Sequence, residues 1–260
     1  MPSFIVSTSY EQYIHALCSV VDFPRGNVYC TRLDIDRYRV GKEEIERLRQ
    51  IREEIAAMPM IEIPEGAVSL NDFSVRDQKT IRRLDEILWK EIAETESGRM
   101  LEEVNPVGGF EKAHAVNDIV EKIGSNLSNA MYVGDSITDV EPFRLVREKE
   151  GLTVSFNGNQ YAVREAEVAV LSSNTIVTSI LADAFGRFGK THVLKLVEEW
   201  SHSALKRHGV DPALEKQIIE LYPKALPQVE MITSNNKERL MKESSAFRKT
   251  VRGEAIGRLG

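Results

Sequence analysis

Two carboxylates four residues apart, Asp135 and Asp139, follow a short apolar run, Ala130-Met131-Tyr132-Val133, that stops at Gly134. Carboxylates held this close repel each other unless a cation lies between them. Hard oxygen ligands with one or two acidic groups suit Mg²⁺. A strand ending in Gly-Asp, then a polar turn, then a helix would place both acids at the mouth of a sheet, where open α/β folds bind ligands. The same residues admit a plainer reading, because Asp- and Ser-bearing turns are common and Asp135 can simply cap a helix. A second apolar run, Leu152 to Phe156, ends in the loop Asn157-Gly158-Asn159. Those asparagines suit a ligand-lining role and a loop-capping role equally.

The elements that must carry these residues follow from periodicity. Phe4-Ile5-Val6 reads as a strand running into Ser7-Thr8-Ser9, followed by a helix from Tyr10 to about Val21 with Tyr13, Leu17 and Val20 on one face. Val28 to Leu33 reads as a strand. Lys42 to Met58 is helical, with Ile45, Leu48, Ile51 and Ile55 in register, and Pro59 ends it. Asp72 to Met100 reads as one or two further helices. From residue 111 helices and strands alternate: helix 111–123, strand 130–133, helix 140–149, strand 152–156, helix 160–165 and strand 168–171. That rhythm predicts a parallel sheet with helices on its faces. Helices over 174–187, 190–207 and 212–221, a short strand at 229–233 and a basic final helix, 236–252, complete the chain. The expected organisation is an α/β core of residues 1–30 and 106–185, a helical insertion over 31–105 and a helical C-terminal extension over 186–260.

Composition narrows the function. The 260 residues are 42% hydrophobic and 28% charged, the profile of a globular protein with a sizeable core. A net charge of −6 with scattered basic residues argues against nucleic-acid binding. No apolar run approaches the roughly eighteen residues of a membrane span, and the first residues do not read as a signal peptide. The two cysteines, Cys18 and Cys30, read as reduced thiols in a cytoplasmic protein. The five histidines have no metal-ligand spacing. His114, two residues after Lys112, reads as a helix-face residue, Trp89 and Trp200 as packing residues, and the basic final helix as a solvated face.

FIVSTS, VGGFEKAHAV and GDSITD, in that order with FNGN after the next strand, resemble the haloacid dehalogenase (HAD) superfamily of phosphohydrolases. The sequence is most similar to archaeal HAD-like members with helical insertions and an extended helical C-terminus. The resemblance implies a HAD-like Rossmannoid sheet with a cap, Mg²⁺ as cofactor and a phosphorylated small molecule as substrate. It gives Ser7 as a hydrogen-bond donor to phosphate and Lys112 as the cation that neutralises phosphate. Asp135 becomes a metal ligand, and Asp139 a ligand or its support. Thr8, Gly134, Ser136 and Asn157 fall around the substrate. Phosphoryl transfer needs charge neutralisation and positioning above all, which a hydroxyl, a lysine and a metal held by carboxylates supply.

One part of the pattern is missing. The family's first motif, Asp-x-Asp after the first strand, supplies the nucleophile and should precede FIVSTS, yet none of the six residues before Ser7 is acidic. Leu33-Asp34-Ile35-Asp36 has the spelling but lies after the second motif, with Arg37-Tyr38 where a small hydroxyl residue or Val is expected. The expectation is therefore a phosphomonoester phosphatase in an N-terminally truncated form, competent when the missing segment is supplied, and prone to self-association without it. The alternative is a non-catalytic HAD-like binding or scaffold subunit.

Overall fold

A computed structural model describes residues 2–64 and 66–253. They pack as two units, Met1–Cys30 with Val107–Gly260, and Thr31–Pro106. The first unit opens with β1 (Ile5–Tyr10), α1 (Glu11–Val20) and β2 (Val28–Thr31), and β1 and β2 form a two-stranded sheet. Helix α1 buries Ile14 and Cys18, whereas the face carrying Tyr13, Leu17 and Val20 lies open to solvent.

The second unit is helical. It contains α2 (Lys42–Ala57), α3 (Val75–Glu86) and the short α4 (Arg99–Glu103). Ser74 starts α3 by accepting from the Asp77 amide. The stretch 72–100, read as one or two helices, holds α3, which widens into a π-turn over Ile87–Ile92, and a separate α4 after a break near Gly98. A side chain at Gly98 would stand 2.0 Å from the Ile92 carbonyl oxygen, so this turn closes only around glycine. Ile51 and Ile87 are buried in this unit. Arg83 bridges Glu54 of α2 and Glu91 of the π-turn. Ile45, Ile55 and Trp89, read from sequence as buried or packing positions, are exposed.

The first unit then resumes with α5 (Phe110–Lys122), β3 (Met131–Gly134), α6 (Val140–Glu148), β4 (Leu152–Phe156), α7 (Gln160–Glu165) and β5 (Val168–Leu171). It closes with α8 (Ile176–Phe188), α9 (Lys190–Glu198), α10 (His202–Arg207), α11 (Pro212–Leu221), β6 (Gln228–Met231) and α12 (Lys237–Arg252). Strands β3, β4 and β5 are parallel, with Val133 opposite Val154 and Val154 opposite Val168. Strand β6 joins antiparallel, Val229 opposite Val170. The architecture is thus α/β: a mainly parallel sheet flanked by helices, with a helical insertion and a mostly helical C-terminal extension.

Strand β5 is a continuous apolar run and β4, though it alternates Leu152, Val154 and Phe156 with Thr153 and Ser155, is buried along Leu152–Ser155, because both faces of the sheet are covered. On one side Leu152, Val154, Val168 and Val170 pack with Ile180, Leu181, Leu196, Leu205 and Ile218. On the other, Val163, Ala169 and Leu171 meet Leu240 and Met241 of α12. The expected helix 190–207 divides where Ser201 accepts from the Ala204 amide and starts α10. Trp200 is half-buried against the core, its indole donating to the Pro227 carbonyl at 2.9 Å. No helix among the described residues is long and apolar enough to cross a membrane.

Among the described residues, no pairing joins β1 or β2 to β3. Strand β3 is an edge of the four-stranded sheet, and Val133 on it is exposed.

Candidate functional site

The site is built on the turn after β3. Gly134 ends the strand because nothing larger fits: a Cβ there would lie 2.6 Å from the Asp139 Cγ. Ser136 and Asp139 form a capping box across the tight turn that leads into α6. The carboxylate of Asp139 folds back under the turn. Its Oδ2 accepts from the amides of Asp135 and Ser136, each at 3.0 Å. Its Oδ1 accepts from the Lys112 Nζ at 2.7 Å and the Tyr132 hydroxyl at 2.8 Å.

Asp139 is 2% exposed and Lys112 is 7% exposed, so this is a buried ion pair with its hydrogen bonds satisfied. Burial pushes the Asp139 carboxyl upward, but the Lys112 charge and the converging donors more than offset it and hold the group below the usual carboxylate range. Burial also drives the Tyr132 hydroxyl well above its ordinary value, with the neighbouring Asp139 charge adding to the effect. Tyr132 is therefore a fixed donor at neutral pH.

Three stretches far apart in sequence meet here. The Thr8 hydroxyl, in the second half of β1, donates to the Val107 carbonyl at 2.9 Å, across 99 positions of chain. The Gly109 amide donates to the Thr138 carbonyl at 3.0 Å, tying the loop before α5 to the turn after β3. Gly109 has a positive φ of 53°, the left-handed region that glycine enters without strain, and this bend starts α5 so that Lys112 faces inward. Ser7 lies beside Thr8 on β1, half-buried, its Oγ accepting from the Ser9 amide at 3.2 Å. The Ser136 and Thr138 hydroxyls are 2.9 Å apart. His114 lies on the exposed side of α5.

Asn157, expected near a substrate, is 4% exposed and spends both ends of its amide on Ser172: Nδ2 donates to the carbonyl at 2.7 Å and Oδ1 accepts from the amide at 2.9 Å. In this arrangement it clasps the ends of β4 and β5. Asn159 accepts from the Tyr161 and Ala162 amides and caps α7, and its own amide donates to the Asp135 carbonyl at 2.9 Å.

The final helix supplies two residues that the sequence reading placed on a solvated face. Arg248, 3% exposed, directs Nη1 to the carboxylate of Asp135 and, at 3.1 Å, to its carbonyl. Arg252 adds a second guanidinium, 2.6 Å from the same carboxylate oxygen. Ser244 donates to the Gly158 carbonyl at 2.7 Å. The signal was present: 244, 248 and 252 are spaced four apart and lie on one helical face.

Among the described residues no group of three or more His, Cys, Asp and Glu side chains is disposed to hold a metal ion. Asp139 is committed to its donors, which leaves Asp135 as the carboxylate that faces a cation. One carboxylate, completed by water and phosphate oxygens, is a donor set compatible with Mg²⁺. Here its counter-ions are the two arginines.

No protein-family model matches the chain, and neither does any curated protein sequence. Its fold is similar to that of the solved structure of gene product AF1437 from Archaeoglobus fulgidus. That match has a TM-score of 0.70 and 23% identity, and spans 99% of this chain and 67% of the other.

Proposed function

We propose that this chain forms the phosphate-binding and charge-neutralising part of a HAD-type phosphohydrolase that acts on a phosphorylated small molecule in a reducing, cytoplasmic setting. The observation that carries the reading is the convergence of Ser7-Thr8, Gly109–Lys112 and Gly134–Asp139 at the carboxyl edge of the strands. In this reading Ser7 donates a hydrogen bond to a phosphoryl oxygen. Lys112, held by Asp139, sets a fixed positive charge beside it, and such preorganised charge accounts for most of phosphoryl-transfer catalysis. Asp135 is the residue that would hold Mg²⁺, which supplies further charge neutralisation when bound.

Inorganic phosphate in the presence of Mg²⁺ is expected to raise the melting temperature of the wild-type chain. That shift should be absent in Lys112→Met and in Asp135→Asn. A phosphate response unchanged in both variants would overturn the assignment.

A second reading, a binding subunit without catalysis, is favoured by the engagement of Asp135 with Arg248 and Arg252. Asp139 is spent on its donors and Asp135 on the arginines, so neither of these carboxylates stands open as a nucleophile. The two readings separate on turnover of an aryl phosphate with Mg²⁺ by this chain. Hydrolysis that disappears with Asp135→Asn supports the enzyme, and phosphate binding without hydrolysis supports the subunit.

A further inference from the structure

Two guanidinium groups share one carboxylate oxygen of Asp135, and they are held very differently. Arg248 is 3% exposed, and its Nη1 also reaches the Asp135 carbonyl at 3.1 Å and the Asn157 carbonyl at 3.4 Å. It is built into the turn. Arg252 is the last residue of α12 and its side chain is 37% exposed. Among the described residues the Asp135 carboxylate is its one ionic partner. An ion pair this open to water is weak, so Arg252 can leave Asp135 at little cost. A cation that binds Asp135 takes the oxygen both arginines hold. Arg248 keeps its two carbonyl acceptors when that happens. Arg252 loses its carboxylate and is repelled by the like charge, yet its tip stays close to whatever ligand the cation holds.

We propose that Arg252 selects the ligand at this site: when a cation takes Asp135, its guanidinium passes to a carboxylate carried by the ligand itself. The site then prefers a phosphorylated carboxylic acid to a phosphate compound without a second charge. The inference rests on the phosphohydrolase reading for the place of the phosphate, and adds the substrate class and the residue that reads it. Three features point to a carboxylate. The Arg252 guanidinium already holds one, that of Asp135, so the exchange replaces like with like. A planar guanidinium matches a carboxylate by two parallel hydrogen bonds, which gives selectivity by shape as well as charge. Arg248 is fixed in the turn beside it, so the positive field at this spot does not depend on where Arg252 points. A site built to pair a charged group rejects a ligand that lacks it, because its own group is then left unpaired.

The test is isothermal titration calorimetry of the whole chain at saturating Mg²⁺ with two phosphonates, whose carbon–phosphorus bond survives any phosphatase. One is 3-phosphonopropionate, which carries a carboxylate. The other is propylphosphonate, which has a methyl group in its place. The wild-type chain is expected to bind the first at least about tenfold more tightly than the second. Arg252→Gln should bring that ratio close to one, and Arg252→Lys should keep part of it. Each ratio compares two ligands on one protein, so a change in stability or in Mg²⁺ affinity acts on both and cancels. With Mg²⁺ removed by EDTA, Asp135 retains Arg252 and the preference should shrink. A ratio near one in the wild type, a ratio that survives Arg252→Gln, or a preference unchanged by EDTA would overturn the proposal. Equal binding of both phosphonates would leave the phosphate site standing and remove only its selectivity. Binding of neither would overturn the phosphate site itself, and the proposal with it.

Discussion

Arg248 reaches back 113 positions along the chain to the carboxylate and carbonyl of Asp135. The last helix of the protein thereby sets the charge of the turn after β3, and any cation that binds Asp135 must compete with a guanidinium already in place.

This relationship predicts how metal affinity responds to the arginines. Arg252 is 37% exposed at its side chain, so Arg252→Gln should change stability by no more than about 1 kcal/mol. The variant should nevertheless bind Mg²⁺ or Mn²⁺ several-fold more tightly by isothermal titration calorimetry. Equal affinities would mean that the arginines and the metal do not compete. Arg248→Met should cost more stability, about 1–3 kcal/mol, because Arg248 is 3% exposed and donates to both the carboxylate and the carbonyl of Asp135.

The buried pair of Lys112 and Asp139 predicts a strong asymmetry between variants. Lys112→Met strands a carboxylate that is 2% exposed and should destabilise the first unit by about 3–5 kcal/mol in urea unfolding. The double variant Lys112→Met with Asp139→Asn should recover part of that loss, since no buried charge is then left unpaired. A single variant as stable as wild type would show that the pair is solvated in solution.

The acid limb of the stability curve should report Asp139. Its folded-state carboxyl lies below the ordinary value of 3.8, so it contributes stability above that value. The contribution is lost as pH falls through the lower folded-state value, where the proton finally binds the native protein. Unfolding free energy should therefore drop as pH falls below about 4, and less steeply in Asp139→Asn. Parallel acid limbs for the two proteins would contradict the assignment.

Tyr29 contributes to the alkaline limb, beside Tyr132. The Tyr29 hydroxyl donates to Asp118, and that hydrogen bond, with burial and the carboxylate charge, pushes it from 10.0 up to about 12. A raised value gives stability that is complete below pH 10 and lost between pH 10 and about 12. Tyr29→Phe should flatten that decline, measured by circular dichroism at fixed denaturant across the range.

Gly134 tests the geometry of the turn. Gly134→Ala would press a methyl group to 2.6 Å from Asp139, an overpacking worth about 1–3 kcal/mol. The phosphate-induced rise in melting temperature should fall with it. An alanine variant with wild-type stability and phosphate response would show that the turn can shift at no cost.

Much of this architecture follows from local pattern. The runs Leu152–Phe156 and Val168–Leu171 read as strands, and Gly134 followed by two spaced acids marks the strand-to-turn junction, but the alternating Leu152-Thr153-Val154-Ser155 pattern does not disclose that Thr153 and Ser155 are buried too. Local pattern misleads where burial is settled by what packs alongside. In α1, Ile14 and Cys18 face the unit while the more conspicuous Tyr13, Leu17 and Val20 face solvent. Trp89 is exposed for the same reason: a π-turn in the helix changes which positions point inward.

The sequence by itself determined the element types, the alternation that makes the sheet parallel, and the residue types able to meet a phosphate. These depend on spacing within a few residues, which periodicity, caps and glycine placement encode. Only the tertiary structure decided that Asp139 is a buried brace rather than an open acid, that Asn157 clasps two strand ends, and that Arg248 and Arg252 hold Asp135. Charge and hydrogen-bond partners come from segments up to 113 positions apart, and nothing in a local pattern specifies which distant donor a carboxylate will meet. That β3 is an edge of the four-stranded sheet likewise belongs to the fold, because an edge is a property of a sheet and not of a strand.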